Sequence, residues 1–264
     1  MGKKIQGHTA RKRFGQNFLF DGQVIYRIIQ AIRPEAQHII AEIGPGLGAL
    51  TEHLANSNCQ LKLVELDRDL VSSLQLRYAT SSNVQIYSAD ALSFDFRTLS
   101  QAPHSLRLVG NLPYNISTPL IFHLLEQADI IQDMHFMLQK EVVERLAAQP
   151  GNKNYGRLSV MVQYFCEVES LFGVSPESFR PAPKVESAIV RLTLRHSRED
   201  INPTELAALV KHAFAHRRKT LRNNLKTLLS AEQMLSLDID PNARPETLSP
   251  QQFIALTRLY QSTQ

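Results

Sequence analysis

Five short runs of β-branched and aliphatic residues recur through the first half of the chain: HIIAEI (38–43), LKLVEL (61–66), VQIY (84–87), LRLVG (106–110) and MHFML (134–138). Between them, sets such as Leu47, Leu50 and Leu54, or Leu70, Leu74 and Tyr78, keep helical spacing. Strand therefore alternates with helix. Continuous apolar strands joined by helices predict an α/β fold, a mostly parallel sheet with helices on both faces. In such a sheet ligands bind beyond the carboxyl ends of the strands, so the residues just after each run are where chemistry is expected.

The second half reads differently. Beyond GRLSVMVQYF (156–165), the pieces VESLFGV and SAIVRLTLR have no long helix between them, which predicts an antiparallel pair at the sheet edge. The polar HSREDINPTE (196–205) reads as a linker. After it, Leu206, Leu209, Val210 and Phe214, then Leu221, Leu225 and Leu228, keep helical spacing and no strand pattern appears. The expected organisation is a catalytic domain over 1–196 and a small all-helical C-terminal domain over 197–264.

Composition narrows the class. At 264 residues, 43% hydrophobic, the chain can bury one substantial core and a small second one. Cys59 and Cys166 stand in unrelated contexts and build neither a disulfide framework nor a zinc cluster, so a reducing compartment, by default the cytoplasm, is expected. No run approaches the roughly 18 apolar residues of a membrane span. Positive charge is concentrated: residues 1–20 and 211–226 carry eleven of the 29 lysines and arginines and none of the 25 acids. That asymmetry is the footprint of a polyanion binder; a solvated charged face is the plainer alternative.

The first strand runs into EIGPGLGAL, whose glycines at 44, 46 and 48 let the backbone turn sharply and approach a ligand. A plain strand-to-helix turn explains the motif equally well. Pro45 removes an N–H from the loop that would have to cradle a pyrophosphate, which disfavours a nicotinamide dinucleotide. The second strand ends VELDRDL, placing Glu65 where an acid accepts both hydroxyls of a ribose, and the third is followed by SADAL, whose Asp90 suits an exocyclic adenine amine. Each acid also reads as a helix cap. Jointly they describe a pocket for a nucleoside without phosphates, the form that S-adenosyl-L-methionine presents.

The fourth strand hands over to NLPY (111–114). An adenine amino nitrogen is a poor nucleophile because its lone pair is delocalised, so methylating it calls for acceptors that favour the charge-bearing geometry of attack. The Asn111 side-chain carbonyl and the Leu112 backbone carbonyl suit that task. Pro113 fixes the local backbone, and Tyr114 offers a ring on which a flipped-out base stacks.

Taken together, NLPYNIST, EIGPGLGALT, VELDRDL, RKRFGQNFL (11–19), LQKEVVERL (138–146), NYGRLSVMVQYF (154–165) and SFRPAPKVESAIVRL (178–192) resemble the bacterial 16S ribosomal RNA adenine dimethyltransferase family. The resemblance runs from about Arg11 to Leu194 and less sharply through the helical tail. It implies a class I (Rossmann-like) methyltransferase sheet that moves methyl groups from S-adenosyl-L-methionine to N6 of two adjacent adenosines in a 3′-terminal hairpin of 16S rRNA, with a role in small-subunit biogenesis. It further implies that Asn17 and Leu19 cover the cofactor, and that Gly44 and Gly46 approach its methionine moiety. Glu65 would meet the ribose, Asp90 the adenine, and Asn111 both ligands. Phe179 would supply a second apolar wall for the target base, or else pack a loop.

Lys12 and Arg13, together with a stripe of Arg218, Arg222 and Lys226 at four-residue steps on one helix, would position RNA within a small ribosomal subunit or its precursor. His212 and His216 share a helical face, but no third ligand joins them and no metal is expected. A monomer is expected. A 23S rRNA dimethylase, a non-catalytic ribosome-assembly or transcription factor on the same fold, and a nicotinamide-dependent oxidoreductase are the alternatives.

Overall fold

The computed structural model describes residues 4–5, 8–9, 16–100, 102–195, 199, 201–216 and 218–263. Its main sheet has seven strands: β1 (Ile39–Ile43), β2 (Gln60–Glu65), β3 (Val84–Ser88), β4 (Leu106–Asn111), β5 (Ile131–Gln139), β6 (Cys166–Val174) and β7 (Ser187–Leu194). They lie in the order β3-β2-β1-β4-β5-β7-β6. The first five pair in parallel, each reproducing one of the apolar runs, and β7 joins β5 antiparallel. VESLFGV and SAIVRLTLR do stand side by side at the edge.

Helices α1 (Gly22–Ile32), α2 (Thr51–Asn56), α3 (Arg68–Arg77) and α4 (Ser117–Leu125) connect or precede the parallel strands. Helix α1 shows why these residues are helical. Asp21 accepts from the N–H groups of Gln23 and Val24, satisfying two of the first-turn donors, and Val24, Ile25, Ile28 and Ile32 form the buried stripe. Burial holds the stripe against Ile40, Leu61, Leu63 and Val109 of the sheet core.

The end of the sheet away from the strand carboxyl termini is pinned by Arg107, near the start of β4. Its guanidinium forms a bidentate pair with Asp133 of β5, at 2.9 and 3.1 Å, and donates to the Ile32 carbonyl at 2.8 Å. The last turn of α1 is thereby tied to two strands. Burial alone would raise the Asp133 carboxyl, but His135 and Arg107 outweigh it and hold the group below its ordinary value.

The chain divides into two compact units, Met1–Val143 with Glu169–Leu194, and Glu144–Val168 with Arg195–Gln264. The helical unit is thus larger than the expected 197–264. It recruits the end of α5 (Lys140–Ala147) and α6 (Arg157–Phe165), because the apolar face of α6 packs on α7 (Pro203–Ala213) and α10 (Pro250–Ser262). Phe214 lies between Tyr155, which it meets edge-on, and the tilted ring of Phe253.

The expected basic stripe is not on one helix. Helix α7 ends at Ala213, and the next, α8, spans only Leu221–Leu225. The Asn224 side chain donates to the carbonyls of Ala213, His216 and Lys219, satisfying acceptors that a continuous helix would have satisfied itself. Arg218 therefore sits in the turn, Arg222 on α8 and Lys226 at its end, all exposed. Another short helix of this unit, α9 (Ala231–Leu235), begins with a capping box at Ser230. Lys12 and Arg13 lie outside the described residues.

Replacing Arg107 by Ala leaves Asp133 buried with only His135 beside it, and is expected to cost about 3 kcal/mol in urea unfolding. Adding Asp133→Ala should return part of that loss. Because the folded Asp133 value is depressed, its contribution is present above the ordinary aspartate range and fades as pH falls through the folded value, so the wild-type advantage over the double variant should shrink in acid.

Candidate active site

The strand order reverses between β1 and β4, whose connections leave on opposite sides. A crevice opens at that point, beyond the carboxyl ends of the strands. It holds a cavity of about 340 Å3 lined by residues that follow β1, β2, β3 and β4, with residues 16–19 along one side.

The glycine loop forms the floor. Gly44, Gly46 and Gly48 all have positive φ, a region that disfavours any side chain. At Gly46 the fit is also steric, since an added Cβ would meet the Phe18 ring at 3.3 Å. The loop is held from both sides: Gly44 N–H donates to the Val64 carbonyl, and Arg77 donates to the Leu47 carbonyl at 3.1 Å.

Glu65 ends β2 and is buried. One carboxylate oxygen accepts the Gly46 N–H at 3.2 Å and the other the Asp67 N–H at 2.8 Å. Burial raises its pKa, against the pull of those two bonds. Each oxygen retains a second lone pair, the acceptor set that a vicinal diol needs. Asp90 is exposed towards the same cavity. Its Oδ1 caps the Leu92 N–H at 3.0 Å, and the bond leaves Oδ2 outside the cap, so capping does not preclude a second role.

Asn111 is the last residue of β4. Its Nδ2 donates to the Asn17 carbonyl at 2.9 Å, which ties residues 16–19 to the loop that follows β4 and leaves Oδ1 as the acceptor of the amide. Leu112 donates its N–H to Met137 of β5 at 3.1 Å, so its own carbonyl is held in a fixed frame. After Pro113, the Tyr114 hydroxyl and Ser187 Oγ share a hydrogen bond of 2.7 Å. Burial pushes the phenol pKa up, so Tyr114 stays neutral and presents a ring rather than a charge.

Asn17, Leu19, Gly44, Gly46, Glu65, Asp90, Asn111, Leu112, Pro113 and Tyr114, separate in sequence, all line this one cavity. Phe179 does not. Its ring is 2% exposed and packs in the sheet core with Leu19, Val24 and Ile189, because the strand pair Phe18–Leu19 with Phe179–Arg180 turns it inward. The plainer reading of that residue, as packing, is the one that the structure supports.

Three residues of the site escaped the sequence reading. Phe18 walls the glycine loop, and Ser187 anchors Tyr114. The third is Glu42, on β1, which is buried yet borders the cavity. Burial pushes its pKa up to about 8, despite a 2.7 Å bond from Thr51 Oγ1. A carboxylate inside the otherwise apolar HIIAEI run was the visible signal for it.

The cavity brings together paired acceptors at Glu65, a further acceptor at Asp90, a glycine turn, and apolar walls from Leu66, Leu70 and Ala91.

The model of the family described as ribosomal RNA adenine dimethylase matches residues 7–262. A protein of Pseudomonas syringae pv. tomato named ribosomal RNA small subunit methyltransferase A is 56% identical over 253 residues, covering 94% of each chain. One of the same name from Nitrosococcus oceani is 54% identical over 260 residues, 98% of each. Among solved structures, a dimethyladenosine transferase from Plasmodium falciparum superposes with a TM-score of 0.80 at 28% identity, covering 90% of this chain and 95% of that one. The 23S rRNA methyltransferase ErmE gives 0.74 at 26%, covering 93% and 100%.

Glu42 binds a proton in the folded protein that it loses when unfolded, so stability should fall as pH rises from about 5 to about 8, by at most about 1.4 kcal/mol per pH unit. Glu42→Gln is expected to flatten that slope in denaturation curves taken across the range; an equal slope in the variant would show that the proton sits elsewhere.

Proposed function

The chain belongs to the ribosomal RNA adenine dimethylase family, and from that premise we infer that it transfers methyl groups from S-adenosyl-L-methionine to N6 of two adjacent adenosines in the 3′-terminal hairpin of 16S rRNA. The observation that carries the assignment is the Asn111 amide, which lines the cavity with Tyr114 and whose Nδ2 is engaged by the Asn17 carbonyl, leaving its own carbonyl oxygen as the acceptor.

S-adenosyl-L-methionine, when bound, supplies a methyl group on a sulfonium that is already a good leaving group. Glu65 and Asp90 are the residues that would hold its ribose and adenine, with the glycine loop beneath and Asn17 and Leu19 above. The rest of the work falls to the catalytic loop. Asn111 Oδ1 and the Leu112 carbonyl accept the two N–H groups of the target amine and stabilise positive charge as it develops there. Tyr114 receives the everted base on its ring, and its bond to Ser187 fixes where the hydroxyl end of that ring sits. Alignment of nitrogen with methyl carbon, held by these fixed groups, supplies much of the rate.

RNA is gathered by positive charge. Arg218, Arg222 and Lys226, on a turn and a short helix, serve as phosphate contacts, and Lys12 and Arg13 are proposed for the same role. The protein acts as a monomer in the cytoplasm, on a small ribosomal subunit or its precursor, and contributes to subunit biogenesis. Among the described residues no helix is long and apolar enough to cross a membrane.

Incubation with labelled S-adenosyl-L-methionine and a mixture of unmethylated small and large subunits should place the label on two neighbouring adenosines of the small-subunit RNA; label on large-subunit RNA would favour the chemistry named for ErmE. Asn111→Ala is expected to lower methyl transfer more than tenfold while cofactor affinity, read by calorimetry, changes much less. Equal losses in both would remove Asn111 from the transition state. Reversing Arg218 and Arg222 to Glu should weaken RNA binding and flatten its dependence on salt; an unchanged slope would make them plain solvated surface.

A further inference from the structure

Phe20 is 47% exposed, an unusual place for a large apolar ring, and it immediately follows the segment that walls the cavity. The Arg180 guanidinium carbon lies over it, 4.2 Å from the ring centre. Arg180 is itself exposed, and among the described residues no carboxylate pairs with it. The pair therefore presents a cationic, planar, half-dry surface with no internal use.

Its position is fixed from two directions. Arg180 pairs with Phe18, a cavity-wall residue, through the short strands Phe18–Leu19 and Phe179–Arg180, and the Phe20 N–H donates to the Ser178 carbonyl. The exposed loop that follows, 181–186, ends at Ser187, the residue bonded to Tyr114. One end of this segment thus touches the wall on the cofactor-covering side, and the other touches the ring proposed for the target base. Lys184 adds positive charge to the loop, while its acid, Glu186, is engaged by Lys140 at 2.6 Å.

We propose that Phe20 and Arg180 form a stacking platform at the rim of the cavity for a single-stranded RNA base adjoining the everted adenosine. Everting one nucleotide unstacks its neighbours, and a neighbouring base gains back that contact on a guanidinium plane backed by an aromatic ring. Arg180 contributes twice, since its charge also suits the phosphate between the two nucleotides. The inference rests on the RNA-methylating reading above and adds to it a site that acts on the flanking base rather than on the target.

The test uses Phe20→Leu and Arg180→Gln in the full chain, with unmethylated small subunits as substrate. Each variant should raise KM for subunits about tenfold, with kcat and cofactor affinity unchanged. Chemical probing of the complexes should show a base beside the target protected by the wild type and exposed with either variant. Unchanged KM in both, or raised KM with protection intact, would overturn the platform and leave the methyltransferase reading standing. Failure of the wild type to label the subunits would overturn both. Unchanged cofactor affinity establishes folding; should Phe20→Leu lose it, Arg180→Gln decides alone.

Discussion

The reversal of strand order between β1 and β4 is the constraint on which the rest depends. The chain leaves neighbouring strand ends in opposite directions, so neither connection can fill the space between them, and every residue placed just after a strand becomes a wall of it. The acids that follow β2 and β3, the glycine turn after β1 and the amide at the end of β4 need no further device to meet. They need only to be held, and backbone groups do the holding: Gly46 and Asp67 steady Glu65, Leu92 steadies Asp90, and Asn17 steadies Asn111.

This explains which parts could be read from the sequence. The five parallel strands were visible because each is a continuous apolar run, and the residues after them followed once the sheet was assumed. Residues whose role depends on a remote partner were not visible. Ser187 matters because β7 lies against β5, next to β4, a fact of sheet order with no local signature. Phe179 had two readings for the same reason: its motif gives its neighbours in sequence, whereas its burial goes with the pairing to Leu19, 160 positions earlier.

The helical unit shows a second kind of limit. Four-residue spacing from 218 to 226 is real in the sequence, but spacing predicts a shared face only if the helix is continuous. Asn224 makes it discontinuous by supplying side-chain donors to carbonyls in the turn. Likewise, the apolar face of α6 belongs to the helical unit although the chain passes through the sheet again before reaching α7. Periodicity reports that a face is buried, never against what.

One crowded point between β1 and β4 carries a consequence for tolerance to change. A methyl group placed on Gly110 would come within 2.6 Å of the Ile43 carbonyl oxygen, a backbone atom that cannot swing aside. Relief would require β1 and β4 to part, shifting Asn111 away from the glycine turn. A residue outside the cavity lining therefore sets the spacing of the two strands whose ends border it, and a mutational library would reject side chains there for reasons of spacing alone.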